Sequence, residues 1–171
     1  MKLVVDNSVA MRWLFADGSE AHRQYAGGVA ALVETSEVHV PALFVTETAN
    51  VISRALKAGV ITPQECESRF DLLQAMQASV APMESTHSAM PLAIKAFEEG
   101  LSAYDATYLL LAQKLGCPLA TLDKDLRRAA KKNGVAIAGE ATNLFDKKWF
   151  CHPCCWRRLP TCTTRTRKAP S

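Results

Sequence analysis

Lys2-Leu3-Val4-Val5-Asp6-Asn7-Ser8 joins a short apolar, β-branched run to a turn and a helix start. Lys2–Val5 reads as a buried strand, because a run that short and that apolar suits a sheet covered on both faces. Asp6-Asn7-Ser8 then supplies the polar residues that open helices. Working outward, helices are expected at Val9–Phe15 and Glu20–Thr35, and a brief strand at Val38–Val40 closed by Pro41. A helix over Ala42–Ala58 follows, with Val45, Ala49, Ile52 and Leu56 at helical spacing and Gly59 as its stop. Thr62-Pro63 opens the next helix, running to about Gln77 with Pro at its first position. Ser79–Met83 reads as a strand, Thr86–Glu99 and Ser102–Leu115 as helices, and Leu119–Leu122 as a strand. A basic helix, Lys124–Asn133, and a last strand, Val135–Ala138, complete the order. Strands separated by helices require crossover connections, and crossovers make a parallel sheet with helices on both sides. The expected fold is α/β, a three-layer α/β/α sandwich on a short-stranded parallel sheet.

Bulk properties fit one domain with its own core. The chain has 171 residues, 49% of them hydrophobic and 22% charged, ordinary values for a globular protein. No apolar run approaches the length needed to cross a bilayer. Asp6 interrupts the first apolar run after Val5, too early for a signal peptide, so a cytoplasmic protein is expected. The net charge of +3 misleads. Every Asp and Glu lies at or before Asp146, whereas Lys147, Lys148, Arg157, Arg158, Arg165, Arg167 and Lys168 follow it. Setting those seven aside leaves 13 basic residues against 17 acidic ones, a balance of about −4 over residues 1–146. Overall charge therefore gives no argument for a nucleic-acid partner, which would need a local basic patch or a bridging metal.

The style of the chain changes after residue 146. Trp149–Ser171 has no acids, no helical or alternating pattern, and many Thr, Arg, Pro and Cys residues. The expected division is a domain over 1–146 and an atypical, basic, Cys-rich extension over 147–171, poorly ordered by composition. Cys151-His152-Pro153-Cys154-Cys155 holds a single Cys-x-x-Cys pair in sequence without packing pattern, so a zinc site is not expected there. Two scattered thiols in the body, Cys66 and Cys117, suit a reducing compartment.

Four acids stand against apolar sequence. A carboxylate among apolar neighbours is costly unless hydrogen-bonded or neutralised. Asp6 ends the first strand and Asp123 follows Leu119–Leu122, the strand ends beyond which parallel sheets bind ligands. Both also suit helix N-caps. Asp105, in Ser102-Ala103-Tyr104-Asp105, has capping-box spacing, with the acid expected to reach back to the cap amide. Glu47 lies inside its helix, where it caps nothing. With Asn50 and Arg54 it forms a narrow polar stripe on an apolar helix, a stripe suited to a cleft. Converging carboxylates repel unless a cation is present. Oxygen ligands without histidine suit Mg²⁺ or Mn²⁺ rather than Zn²⁺, and such sites serve phosphodiester hydrolysis.

Leu3-Val4-Val5-Asp6-Asn7-Ser8, Thr46-Glu47-Thr48-Ala49-Asn50-Val51, Leu101-Ser102-Ala103-Tyr104-Asp105-Ala106 and Ala120-Thr121-Leu122-Asp123-Lys124-Asp125-Leu126 together resemble the PIN-domain family, most nearly its VapC-type toxins. The resemblance covers roughly residues 2–140, in order. It implies a metal-dependent ribonuclease, an Mg²⁺- or Mn²⁺-dependent endoribonuclease acting as the toxin of a toxin–antitoxin pair. Asp6, Glu47, Asp105 and Asp123 would match the family's acidic quartet, with Asp6 and Asp105 as the firmest metal ligands and Glu47 and Asp123 completing the site directly or through water. Ser8 matches a hydroxyl position that orients Asp6 or a water, and Asp125 could share or replace the role of Asp123. The resemblance also implies an RNA substrate, a VapB-type antitoxin as partner and a homodimer. Arg12, Arg54, Lys124, Arg127 and Arg128 are candidate phosphate contacts by position, with solvated surface as the plainer reading of each. The main rival is a non-catalytic PIN-like module that binds RNA or protein. An aspartyl-nucleophile phosphotransferase would need an acid at position 8, which is Ser, and no glycine-rich turn follows the first strand to bind a dinucleotide.

Overall fold

Leu3, Val4 and Val5 have no exposed surface. Successive strand residues face opposite ways, so a strand buried along its whole length must be covered on both faces. The structure, a computed structural model, describes residues 1–15, 17–82 and 88–140, with Leu72 described by its backbone alone. Its elements are β1 (Lys2–Val5), α1 (Asn7–Phe15), α2 (Glu20–Val33), β2 (Glu37–Pro41), α3 (Leu43–Lys57), α4 (Pro63–Ala75), β3 (Ser79–Ala81), α5 (Ala89–Glu99), α6 (Ala103–Leu115), β4 (Leu119–Ala120) and α7 (Lys124–Lys132). The described residues belong to one compact unit, Met1–Glu140. The expected extension over 147–171, with its cysteines, lies outside the described residues, as do the expected strand end at Met83 and helix start at Thr86.

All strand pairs are parallel and the order is β3-β2-β1-β4. β1 is central, Val4 pairing with His39 of β2 on one side and Leu119 of β4 on the other. The chain steps outward from β1 through β2 to β3, then crosses back to place β4 on the other side. That reversal makes the carboxyl ends of β1 and β4 the switch point where α/β sheets form their ligand crevices. α6 packs on β1, β2 and β4 with α5 and α7 beside it, while α2, α3 and α4 gather around α1. The three-layer arrangement is the expected one.

Two local expectations are corrected. The last strand, Val135–Ala138, is reduced to a single parallel bridge between Leu119 and Ile137. Leu119 donates to Ala136 and accepts from Ala138, at 2.9 and 3.0 Å, and the two-residue β4 offers no longer ladder to extend. In α3 the buried positions are Phe44 and Thr48, whereas Val45 is 57% exposed. The inward line is thus displaced by one residue from the expected one, and this turns Glu47 toward the interior. Gly116, at φ 59, ends α6 in the left-handed conformation that glycine adopts without strain, and the chain passes directly into Pro118 and β4.

Candidate active site

Asp6 leaves the end of β1 and is 5% exposed. Its Oδ2 accepts hydrogen bonds from Ser8 Oγ at 2.5 Å and from Thr121 Oγ1 at 2.7 Å. The Asp6 carbonyl accepts from the Val9 amide at 3.0 Å, where α1 begins. The hydroxyls are themselves oriented. Ser8 Oγ accepts from the Leu122 amide at 3.0 Å, and Thr121 Oγ1 accepts from the Asp123 amide at 3.1 Å. Each hydroxyl therefore uses its lone pair on a backbone amide and turns its proton to Asp6. Burial pushes the Asp6 carboxyl up from its ordinary value, opposed by the bonds from Ser8 and Thr121 and reinforced by the charge of Asp105.

Glu47 reaches the same region from α3 and is partly buried. Tyr108 Oη donates to Glu47 Oε2 at 2.5 Å. Tyr108 has no exposed surface and lies three residues after Asp105 on α6. Beside Glu47, buried Thr48 donates to Asn7 Oδ1 at 3.0 Å, fastening α3 to the start of α1. Burial raises the Glu47 pKa, the Tyr108 bond opposes this, and the charges of Asp6 and Asp105 add to it. Tyr108 is held in its protonated form by burial and by the acceptor Glu47. Of the expected stripe, Glu47 alone turns inward. Asn50 and Arg54 are exposed.

Asp105 stands in the first turn of α6. Ser102 Oγ accepts from the Asp105 amide at 3.1 Å and donates to Asp105 Oδ2 at 2.6 Å. The expected return bond to the cap amide is replaced by one to the hydroxyl, because Asp is a methylene shorter than the Glu or Gln of a full capping box. The full version occurs at α4, where Glu65 Oε2 accepts from the Thr62 amide at 2.8 Å.

Asp123 is the N-cap of α7, its Oδ1 accepting from the Leu126 amide at 2.7 Å, and it is exposed. Asp125 is exposed and paired with Arg128. The charge of Asp105 thus bears on Asp6, and those of Asp6 and Asp105 on Glu47, while Asp123 is linked to Asp6 through Thr121. Among the described residues no three His, Cys, Asp or Glu side chains are gathered as a ready-made metal cage. The donors that do meet around Asp6, carboxylate and hydroxyl oxygens, are of the hard kind that Mg²⁺ and Mn²⁺ take.

Of the expected phosphate contacts, Arg54, Lys124 and Arg128 are exposed. Arg12 pairs with Asp17 at 2.7 Å. Arg127 is built into the fold. It donates to the Thr121 carbonyl at 2.8 Å and to Glu140 at 2.5 Å, and its guanidinium lies 4.8 Å from the centre of the Tyr25 ring. Thr121 and Tyr108, which hold the candidate acids Asp6 and Glu47, are not singled out by the sequence. Thr121 stood within a motif already singled out for Asp123, and Tyr108 within a helix read as core.

With this geometry in place, comparison with known proteins gives three findings. The PIN domain family matches residues 3–132. Ribonuclease VapC3 of Pyrobaculum aerophilum is 30% identical over 131 residues, spanning 74% of this chain and 92% of that protein. The crystal structure of PAE2754 from Pyrobaculum aerophilum superposes with a TM-score of 0.53 at 20% identity, over 75% of this chain and 84% of that one, a likeness of fold.

Proposed function

Because the chain belongs to the PIN domain family, we propose that it is a VapC-type ribonuclease, hydrolysing RNA phosphodiester bonds as the toxin of a toxin–antitoxin pair. One observation carries the site assignment: Asp6 is buried at the switch point and held by the hydroxyls of Ser8 and Thr121, and among the described residues no Lys or Arg is hydrogen-bonded to it. A site that concentrates unneutralised carboxylates lowers its energy by taking up a cation.

Asp6 and Asp105 would hold Mg²⁺ or Mn²⁺, with Glu47 beside them and Asp123 contributing from the rim through water. A divalent ion supplies charge there that makes water more acidic and offsets the negative charge gathering on the attacked phosphate. The chain's own residues do the positioning. Ser8 and Thr121 fix the Asp6 carboxylate through one oxygen, and Ser102 fixes Asp105. Side chains held by oriented partners keep their geometry with little reorganisation. RNA is the substrate, with exposed Arg54 and Lys124 as candidate phosphate contacts. A VapB-type antitoxin is the proposed protein partner, a homodimer the proposed assembly and the cytoplasm the proposed location. Among the described residues no helix is long and apolar enough to cross a membrane.

The test is RNA cleavage by the wild type and by Asp6→Asn, each with Mg²⁺ and with EDTA. Cleavage is expected only for the wild type with metal. Robust cleavage in EDTA, or an undiminished variant, overturns the mechanism. A folded protein that binds metal but cuts no RNA would instead be a PIN-like binding module.

A further inference from the structure

Glu47 is the one acid of the site that arrives from the middle of a helix, so no helix terminus or strand end fixes its direction. Its helix is anchored one residue away, where Thr48 Oγ1 donates to buried Asn7 Oδ1. The carboxylate itself is anchored by Tyr108 Oη, which donates to Oε2 at 2.5 Å from a residue with no exposed surface. Asp105 and Tyr108 lie three residues apart on α6 and so share one side of that helix. A single helix therefore carries an acid of the site and the hydroxyl that aims a second acid at it.

From this geometry we infer that Tyr108 is a positioning residue: its hydroxyl holds Glu47 Oε2 and so fixes the direction of the carboxylate that would stand beside the cation. The inference rests on the metal-site reading above and goes beyond it in making the direction of Glu47 depend on α6. Without the hydroxyl, Glu47 has free rotation about its side-chain bonds and two equivalent oxygens, and it must be ordered anew each time the cation enters. Partners that orient metal ligands in this way are worth roughly 10–100-fold in metal affinity or activity.

The experiment compares wild type, Tyr108→Phe, Glu47→Gln and the double variant by Mn²⁺ titration calorimetry and by the metal-induced rise in unfolding temperature. Each protein is referred to its own metal-free state, so a less stable variant still reports its binding. Tyr108→Phe keeps the buried ring and removes one oxygen. Mn²⁺ binding is expected to weaken about tenfold or more in Tyr108→Phe. In the Glu47→Gln background the same change is expected to add little, because residues acting through one another are not additive. A merely structural tyrosine would lower the unfolding temperature of both backgrounds equally and leave the metal-induced rise unchanged, which overturns the inference. Additive losses in the two backgrounds also overturn it. Absence of Mn²⁺ binding by the wild type is a different outcome, which overturns the metal-site reading itself.

Discussion

Asp6 and Glu99 are both nearly buried carboxylates, 5% and 9% exposed, in opposite surroundings. Glu99, at the end of α5, accepts from Lys95 at 3.1 Å and Lys132 at 2.9 Å, and its pKa is held down to about 2. The hydrogen bonding of Asn133 leads that shift, followed by the bonds from Lys132 and Lys95. Asp6 is surrounded instead by hydroxyls and by other acids, and its pKa is raised. The fold thus treats a structural acid and the acid proposed to hold the cation differently. Glu99 carries its own cations and ties α5 to α7. Asp6, at the switch point of the sheet, has hydroxyl donors in place of cations among the described residues, which is the setting the proposed cation would complete.

The largest effect should come from neutralising Asp6. Asp6→Asn keeps an acceptor for Ser8 and Thr121 but removes the charge that would hold the ion. Metal-supported RNA cleavage is expected to fall by about a hundredfold or more, beyond the range usual for outer-shell partners. The metal-free protein should behave oppositely. The folded pKa values of Asp6 and Glu47 lie above their ordinary values of 3.8 and 4.5. Their ionisation therefore costs stability, which is lost as pH rises through the raised values. Chelated Asp6→Asn should lose less stability over that climb than chelated wild type. Unfolding temperatures measured in EDTA from pH 4 to 8 decide it; parallel curves would show that Asp6 is not strained by its charge.

Thr121→Val comes next. It deletes a hydroxyl that donates to Asp6 and accepts from the Asp123 amide. Loss of about 1–3 kcal/mol of stability is expected from the unpaired groups, with roughly tenfold weaker cleavage from a less fixed Asp6. Glu99→Gln sharpens the comparison from the other side. Glu99 has a depressed folded pKa, so its stabilisation is present above 4.5 and disappears as pH falls toward 2. The variant should unfold at lower temperature at neutral pH and flatten that acid limb, while RNA cleavage and Mn²⁺ binding stay unchanged. A loss of cleavage would mean that the two acids are not separable.

The difference between the two acids was only half visible in the sequence. The short run Lys2–Val5 and the acid after it were legible because local pattern decides both. Glu47 was legible as an acid with nothing to cap. Thr121 and Tyr108 were not, because each acquires its meaning from a partner 115 or 61 residues away. A buried tyrosine in an apolar helix looks like packing, and its ring is packing; only its hydroxyl has a second role. The expected Val135–Ala138 strand shrinks to one bridge for the converse reason. Its residues have strand propensity, but that propensity is realised only against a neighbour, and β4 offers little more than Leu119.

The smallest expected effect concerns Asp123, a helix cap with a second, proposed role. Asp123 stands at the switch point, yet Leu126 uses its Oδ1 as a helix cap. Capping depends on a side-chain oxygen rather than on charge, so Asp123→Asn should leave stability within about 0.5 kcal/mol, whereas Asp123→Ala should cost about 1 kcal/mol. Comparing the two variants in denaturant melts and in RNA cleavage separates the roles. If Asp123 only caps α7, cleavage at equal folded concentration is the same in Asp123→Asn and wild type. If it also steadies the ion through water, Asp123→Asn cleaves several-fold more slowly at limiting Mg²⁺ and recovers as Mg²⁺ is raised. The second result is expected, because the Asp123 amide is bound to the Thr121 hydroxyl that holds Asp6, which ties the Asp123 backbone to the Asp6 carboxylate at the switch point.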